Sequence, residues 1–299
     1  MSINFLKYSK IYFIFSGILI LASIVSLFVF GLKPGIDFTG GSILEVEYKG
    51  ERPSNEMIRD SLAGLNLGEF SVQPTDEKGL ILRMKEIQEE THQEIIEKLR
   101  EGNNDGIEEL RFESIGPVIG KELREKTGMV IVLSLLGISF YIAIAFRKLS
   151  FPAKSWQYGI SSLIVLFHDA LIPIGIFSVL GKIYEIQITI PVIVALLTVL
   201  GYSINNAVVV FDRIRENSLK RVGSSYENTV NISLNQTLTR SLNTSLTTLF
   251  VLVAIFFFGG ETLKYFSLML ILGIIAGTYS SFFLASPILV AWLKWKKKI

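Results

Sequence analysis

The segment from Leu200 to Asn217 places side-chain amides inside an apolar run. It reads Leu-Gly-Tyr-Ser-Ile-Asn-Asn-Ala-Val-Val-Val-Phe-Asp-Arg-Ile-Arg-Glu-Asn, so Asn205 and Asn206 lie among apolar residues and a charge cluster follows them. An unpaired amide is costly in hydrocarbon, and both side chains must therefore face protein or water. With Tyr202 on the same helical face as Asn205, the pattern indicates a polar path between membrane helices, or hydrogen bonds that serve helix packing alone.

A histidine and a carboxylate also fall within an apolar segment. His168 and Asp169 occur in Leu-Phe-His-Asp-Ala-Leu-Ile-Pro, deep enough in the run to need protein neighbours or water. The pair offers titratable groups inside the membrane. Alternatively, Asp169 serves only as an acceptor for hydroxyl groups of neighbouring helices.

Arg240 begins a polar stripe at helical spacing that continues through Asn243, Thr244 and Thr247. An arginine at the centre of a span costs about 2.5 to 3.5 kcal/mol to insert, but less near an end, where its side chain reaches the membrane surface. The stripe therefore indicates a hydrated interior, or Arg240 is a plain interfacial residue.

The composition argues against several kinds of site. The chain has no cysteine and two histidines, so we predict no disulfide framework, no thiol nucleophile and no metal site. It also lacks a Gly-Lys-Ser/Thr phosphate loop and a plausible Ser/His/Asp set, so we predict neither an enzyme nor a cofactor site. The net charge of +2 does not favour nucleic acid as a partner.

The hydropathy predicts a polytopic α-helical membrane protein. Half of the residues are hydrophobic, the mean hydropathy is +0.48 and charged residues make up 19%. Six apolar runs can cross a bilayer core of about 30 Å, and the first is too long for a typical cleaved signal peptide. The six are Ile11–Gly31, Gly128–Phe146, Gly159–Leu180, Ile190–Phe211, Leu242–Phe258 and Phe266–Val290.

Small residues recur at every fourth position of the last span, which predicts the close approach of another helix. They are Gly273, Gly277, Ser281 and Ala285.

Lysines and arginines of the short connections are concentrated on one side of the predicted helices. The positive-inside rule then places both termini in the cytoplasm and the long polar insertion outside. The positive side carries Lys7, Lys10, Arg147, Lys148, Lys154, Arg213, Arg215, Lys220, Arg221, Lys294, Lys296, Lys297 and Lys298, whereas the other side carries Lys182 and Lys264.

The polar insertion from about Lys33 to Lys126 predicts a folded external domain, because its periodicity alternates between strand and helix. The order βαββαβ is typical of a ferredoxin-like α+β sandwich. We therefore divide the chain into a first transmembrane helix at 1–32, an external domain at 33–127 and five further helices at 128–299. The predicted elements are strand Ser42–Lys49, helix Pro53–Leu65, strands Phe70–Pro74 and Leu80–Lys85 around a turn at 76–79, helix His92–Arg100 and strand Ile107–Glu113.

Glycine-rich motifs flank this domain. One contains Asp37, Gly40 and Gly41, and the other begins at Gly116 and Pro117. A phosphate site is poorly supported because a strand rather than a helix follows the first motif. A tight passage of the backbone from lipid to sheet is the simpler interpretation.

These motifs, in this order, resemble the SecF family of bacterial protein-export subunits. The resemblance covers nearly the whole chain and includes the His-Asp pair, both glycine motifs and the signature from Gly201 that holds Asp212, Arg213 and Arg215. It implies a multi-pass protein of the bacterial cytoplasmic membrane, in contact with membrane lipids, that uses the proton gradient to help draw a translocating preprotein outward. The implied partners are SecD and the SecYEG channel, with YidC and YajC as further candidates.

The six spans with one external domain also resemble half of an exporter of the resistance-nodulation-division class, which has twelve spans and two such domains.

The sequence departs from the family at one position. By resemblance, Asn206 occupies the place of an aspartate implicated in proton passage, and Arg240 that of an arginine beside it that is tied to transport. A carboxamide cannot titrate, so Asn206 can relay hydrogen bonds but cannot load a proton, although Tyr202 and Ser203 lie close enough to donate to it. Three functions stay open: a proton-coupled export subunit, a non-coupling scaffold of the translocon, and half of a small-molecule or lipid efflux transporter.

Overall fold

The computed structural model describes residues 3–75, 77–101, 106–145, 147 and 153–295. The chain forms two compact units, one of them Pro34–Met129 and the other the residues up to Lys33 together with those from Val130 onward. Some residues used in the sequence predictions lie outside the described ranges: Asp76, Phe146, Lys148 and the lysines at 296–298.

The chain contains the six predicted apolar helices, each long enough to cross a membrane. Between the first and second of them stand four strands and three shorter helices. The elements are α1 (Ser9–Phe30), α2 (Ile36–Thr39), β1 (Gly41–Tyr48), α3 (Asn55–Leu62), β2 (Ser71–Pro74), β3 (Gly79–Met84), α4 (Glu89–Glu101), β4 (Ile107–Ile115), α5 (Pro117–Ala145), α6 (Ser155–Tyr184), α7 (Ile190–Leu219), α8 (Tyr226–Phe258), α9 (Glu261–Ser280), a π-helical turn (Ser281–Ala285) and α10 (Ser286–Trp295).

Small residues bring the membrane helices into close contact. A side chain on Gly273 would clash with Val199, and a Cβ on Gly277 would lie 3.3 Å from the Cβ of Ser203, so the predicted ladder packs α9 on α7 of the same chain. Gly175 of α6 is equally tight against Ser23 of α1. The π-helical turn in the second half of the ladder was not predicted.

Two asparagines of α8 hold the N-terminal segment. Asn235 accepts the backbone N–H of Ile3 at 2.8 Å and donates to the Ile3 carbonyl at 2.8 Å, and Asn231 accepts the N–H of Phe5 at 2.8 Å. The polar first part of α8 therefore binds protein backbone. The helix begins at Tyr226, well before the predicted apolar run from Leu242, and the side chain of Ser225 caps it by accepting the N–H of Asn228.

The Pro34–Met129 unit contains a four-stranded, fully antiparallel sheet in the order β2-β3-β1-β4, with the predicted element order βαββαβ. Alternate residues of the sheet join α3 and α4 in one apolar core, as period-2 strands and amphipathic helices require. Buried members of that core include Leu44, Val46, Ile58, Leu82 and Ile95. The side chain of Ser54 caps α3 by accepting the N–H of Met57.

Candidate functional site: a polar layer among the membrane helices

Asp169 of α6 is the centre of a polar cluster that joins three membrane helices. Its side chain is fully buried. One carboxylate oxygen accepts the hydroxyl of Ser203 from α7 and, at 2.7 Å, the hydroxyl of Ser280 from α9. Buried carboxylates persist when hydrogen bonds satisfy them, and here the donors come from two neighbouring helices.

His168 supplies the other oxygen of Asp169 with a partner. Nδ1 of the imidazole lies 2.8 Å from the carboxylate, and both side chains are at most 1% exposed. Nε2 of His168 is buried and has no hydrogen-bond partner within the described ranges. Its ring stacks on Tyr279 of α9 with centroids 6.1 Å apart. His168 and Asp169 therefore form a hydrogen-bonded pair. Asp169 also accepts hydroxyl groups from neighbouring helices, which was the alternative interpretation of this residue.

A second chain of hydroxyl groups links α7, α8 and α9. Tyr202 bonds to Ser245 at 2.8 Å, and Ser245 bonds to Thr278 at 2.7 Å. The hydroxyl of Tyr202 thus bonds to α8, and the hydroxyl of Ser203 bonds to Asp169 of α6.

The two adjacent asparagines of α7 have different surroundings. Asn206 is 5% exposed, and its Nδ2 is a buried donor with no partner in the described part of the chain. Asn205 is exposed and lines, with Gly201, a cleft of about 300 Å³ against Gly137 and Tyr141 of α5. One of the two predicted amides is thus buried and the other is open to a cleft.

The predicted stripe on α8 faces away from the rest of the chain. Arg240, Asn243, Thr244 and Thr247 are all exposed, whereas Ser245 on the same helix is buried. Both threonines return their hydroxyls to the carbonyl one turn earlier, at 3.0 Å for Thr244 and 2.9 Å for Thr247. Arg240 is exposed whereas Asn206, beside which the resemblance places it, is buried, and no hydrogen bond joins the two side chains within the described ranges. The stripe forms an open polar surface on α8.

The charged motif at the end of α7 fixes the α7–α8 connection. Arg213 donates to Gln236 of α8 at 2.7 Å, and Asn217 donates to Gln236 and to Ser233, each at 2.8 Å. Asp212 is exposed and pairs only locally, with Arg215 at 3.4 Å. The contacts of Arg213 and Asn217 therefore join the end of α7 to the first part of α8.

The two glycine motifs form one backbone junction in the Pro34–Met129 unit. Gly40 has φ +74°, and a Cβ there would lie 2.8 Å from Cα of Pro117, while a Cβ on Gly120 would lie 2.7 Å from the Gly40 nitrogen. Gly41 has φ +130° and sits against the Met84 carbonyl, and Gly116 sits against Glu86. Glycine is required at Gly40, Gly41 and Gly120, where a Cβ would meet backbone atoms within 3 Å, and the contact of Gly40 with Pro117 and Gly120 packs the two motifs on each other.

Asp37 of the first motif contributes to the charge field around Arg111. Burial acts to lower the pKa of the Arg111 guanidinium, but its hydrogen bonds to Glu113, at 2.6 and 2.8 Å, and the charges of Glu113, Glu45 and Asp37 outweigh burial. The pKa of Arg111 is raised as a result.

Sequence reasoning missed three hydroxyl residues of the polar layer: Ser245, Thr278 and Ser280. Each stands beside or within a run of small residues, where the sequence signals packing. For Thr278 and Ser280 the available signal is their position just after Gly277, because a glycine lets a neighbouring hydroxyl reach across to the facing helix. Ser245 lies instead in the polar run of α8. In the described ranges, no group of three His, Asp or Glu side chains is placed to hold a metal ion.

Family comparisons match both ends of the chain. Residues 25–51 match the SecD/SecF GG motif, and residues 95–295 match the family described as "Protein export membrane protein SecD/SecF, C-terminal". The chain is 42% identical to "Protein translocase subunit SecF" of Thermobaculum terrenum, over 97% of this chain and 94% of that protein. It is 35% identical to the protein of the same description from Synechocystis, over 99% and 96%.

Solved structures show the same relationship. The crystal structure of SecDF from Thermus thermophilus, described as a translocon-associated membrane protein, has a TM-score of 0.84 and 32% identity over 98% of this chain. SecDF in its super-membrane-facing form has a TM-score of 0.69 and 33% identity over 99% of this chain. This chain spans 39% of the SecDF chain in both cases.

Proposed function

The chain belongs to the SecD/SecF family of protein-export membrane proteins, and we propose that it is the SecF subunit of a SecD/SecF complex that assists polypeptide translocation. The observation that carries this proposal is the match to a SecF subunit over 97% of this chain and 94% of the relative. We place it in the bacterial cytoplasmic membrane, because the six apolar helices make it a multi-pass membrane protein.

SecD is the proposed covering partner of the polar surface on α8. Arg240, Asn243 and Thr247 are exposed in this chain, and lipid cannot satisfy such groups along a membrane helix. A second membrane subunit that buries the stripe removes this cost. This chain spans 39% of the Thermus thermophilus SecDF chain. The remainder of that chain is long enough to contain a second membrane subunit. SecYEG is the proposed channel, with the preprotein, YidC, YajC and membrane lipids as further contacts.

We propose the Pro34–Met129 unit as a ferredoxin-like domain on the external side, within the predicted 33–127 segment. The strand order β2-β3-β1-β4 and two helices in a βαββαβ chain support this fold. The excess of basic residues in the other short connections supports cytoplasmic termini. Single cysteines at Lys78 and Lys220 test the orientation, since an impermeant thiol reagent should label the first and spare the second in intact cells.

Use of the proton gradient is the second part of the proposal. The intramembrane site comprises Asn205, Asn206, Tyr202, His168, Asp169, Arg240, Thr244 and Thr247, which together bring charged and titratable side chains into the membrane helices. Asn206 favours the alternative of a scaffold subunit that does not couple, because its amide cannot carry a proton. We propose no catalytic chemistry and no cofactor.

Complementation tests both parts. In cells depleted of their own SecF, this chain should co-purify with SecD and restore translocation of a secretory precursor into inverted membrane vesicles. Collapsing the proton gradient should then reduce translocation in the vesicles that carry this chain. Association without any gain in translocation would contradict the export role, whereas a gain that ignores the gradient would support the scaffold.

A further inference from the structure

Asp169 is fully buried where α6, α7 and α9 meet. The groups that face its carboxylate are His168 from its own helix, Ser203 from α7 and Ser280 from α9. Gly277 of α9 packs close to the carboxylate, since a Cβ there would lie 3.5 Å from it and 3.3 Å from the Cβ of Ser203. In the described ranges, His168 is the basic side chain within ion-pair distance of Asp169.

The imidazole of His168 has one nitrogen engaged and one spare. Nδ1 faces Asp169 at 2.8 Å, whereas Nε2 is buried with no partner among the residues described. A buried polar atom without a partner is energetically costly. Such an atom calls for an explanation, and an imidazole nitrogen that gains and loses a proton supplies one.

The helix that carries Ser280 changes from α-helical to π-helical geometry directly after this residue. The π-helical turn Ser281–Ala285 follows directly, and Ser281 donates to the Gly277 carbonyl at 2.7 Å. Single π-helical turns within α-helices are frequent at functional sites. A change in the hydrogen bond between Ser280 and Asp169 therefore acts directly beside the π-helical turn of the last membrane span.

We propose that His168 and Asp169 form a proton-binding pair that gives this chain a titratable site beside the helix in which Asn206 cannot titrate. The inference rests on the proposed function, because it names the group through which this subunit takes part in coupling. The proton comes from water, binds to Nε2 of His168 and later returns to water. With the proton bound, the pair is an imidazolium and a carboxylate with no net charge.

Loss of that proton leaves one negative charge on the pair. The charge is then held by the hydroxyls of Ser203 and Ser280 and by the N–H of Nδ1, so these bonds strengthen. When the proton is bound, the imidazolium of His168 neutralises the negative charge of Asp169. The hydrogen bonds that Asp169 accepts from α7 and α9 then weaken. Protonation of one side chain thereby changes how three membrane helices are tied together.

The chain allows a direct test, because it has two histidines. Histidine labelled with ¹⁵N in the full chain, reconstituted in lipid nanodiscs, reports the proton on each ring nitrogen. His92→Gln assigns the signals of His168. We expect the Nε2 signal of His168 to gain and lose its proton reversibly within the pH range over which the chain stays folded, and the midpoint of this change to differ in Asp169→Asn, which removes the neighbouring charge.

A His168 ring that keeps one protonation state over that range in the unmodified chain would overturn the proposal without any variant that might misfold. An unchanged midpoint in folded Asp169→Asn would overturn the pairing. The measurement needs neither SecD nor export. A chain whose His168 titrates as expected but which fails to restore translocation therefore refutes the proposed function and leaves the proton site standing.

Discussion

Removing the hydroxyl of Ser280 should destabilise the protein more than removing that of Ser281. Both side chains are fully buried and both donate to the Gly277 carbonyl, at 3.2 and 2.7 Å respectively. Ser280 also donates to Asp169 at 2.7 Å. A hydrogen bond to a charged group contributes about 1.5 to 3 kcal/mol, whereas polar contacts between membrane helices average about 0.6 kcal/mol.

We therefore expect Ser280→Ala to lower the free energy of unfolding by at least about 1 kcal/mol more than Ser281→Ala at neutral pH. Unfolding of the purified chain by a denaturing detergent, followed by tryptophan fluorescence, measures both values. The excess should shrink in the Asp169→Asn background, because that substitution removes the charge that strengthens the bond. Equal costs for the two serines would contradict a charge-assisted hydrogen bond between Ser280 and Asp169.

Three further outcomes follow from the site and the glycine junction. Arg240→Leu should leave SecD association intact and lower translocation at a fixed proton gradient, with Lys220→Leu as the control; a fall in protein abundance alone would make Arg240 structural. Asn206→Asp should fit, because the two side chains are nearly equal in size, and should increase the gradient dependence of translocation; equal dependence in parent and variant would leave the His168–Asp169 pair as the route. Gly40→Ala, with φ +74° and Pro117 backbone within 3 Å, should cost about 1 to 3 kcal/mol in thermal unfolding, whereas Gly64→Ala, with open space around it, should be nearly neutral.

The six spans and the βαββαβ order were predictable because each depends on local periodicity. The extent of α8 was not, since Asn231 and Asn235 look like helix-flanking residues until their partners at Ile3 and Phe5 are known. The π-helical turn left no sequence signal, because its winding depends on packing around Ser281–Ala285.

The candidate site was likewise predictable only in part. The sequence identified Asp169 and Asn206 as polar groups in apolar surroundings, and burial of both side chains follows from that. It could not show that Ser280 reaches Asp169, because this contact joins helices that are 111 residues apart in the chain. The glycine motifs were predicted as tight backbone, but their contact with each other depends on the fold around Gly40 and Gly120.

The asparagine clamp on the N-terminal segment has a consequence for biosynthesis. Ile3 and Phe5 leave the ribosome before their partners Asn235 and Asn231, which follow 232 and 226 residues later. At about 5 to 20 residues per second, the segment waits roughly 10 to 50 seconds for them. The first helix must therefore stay in the bilayer, or with the insertion machinery, without its final contacts, and its docking is among the last steps of assembly.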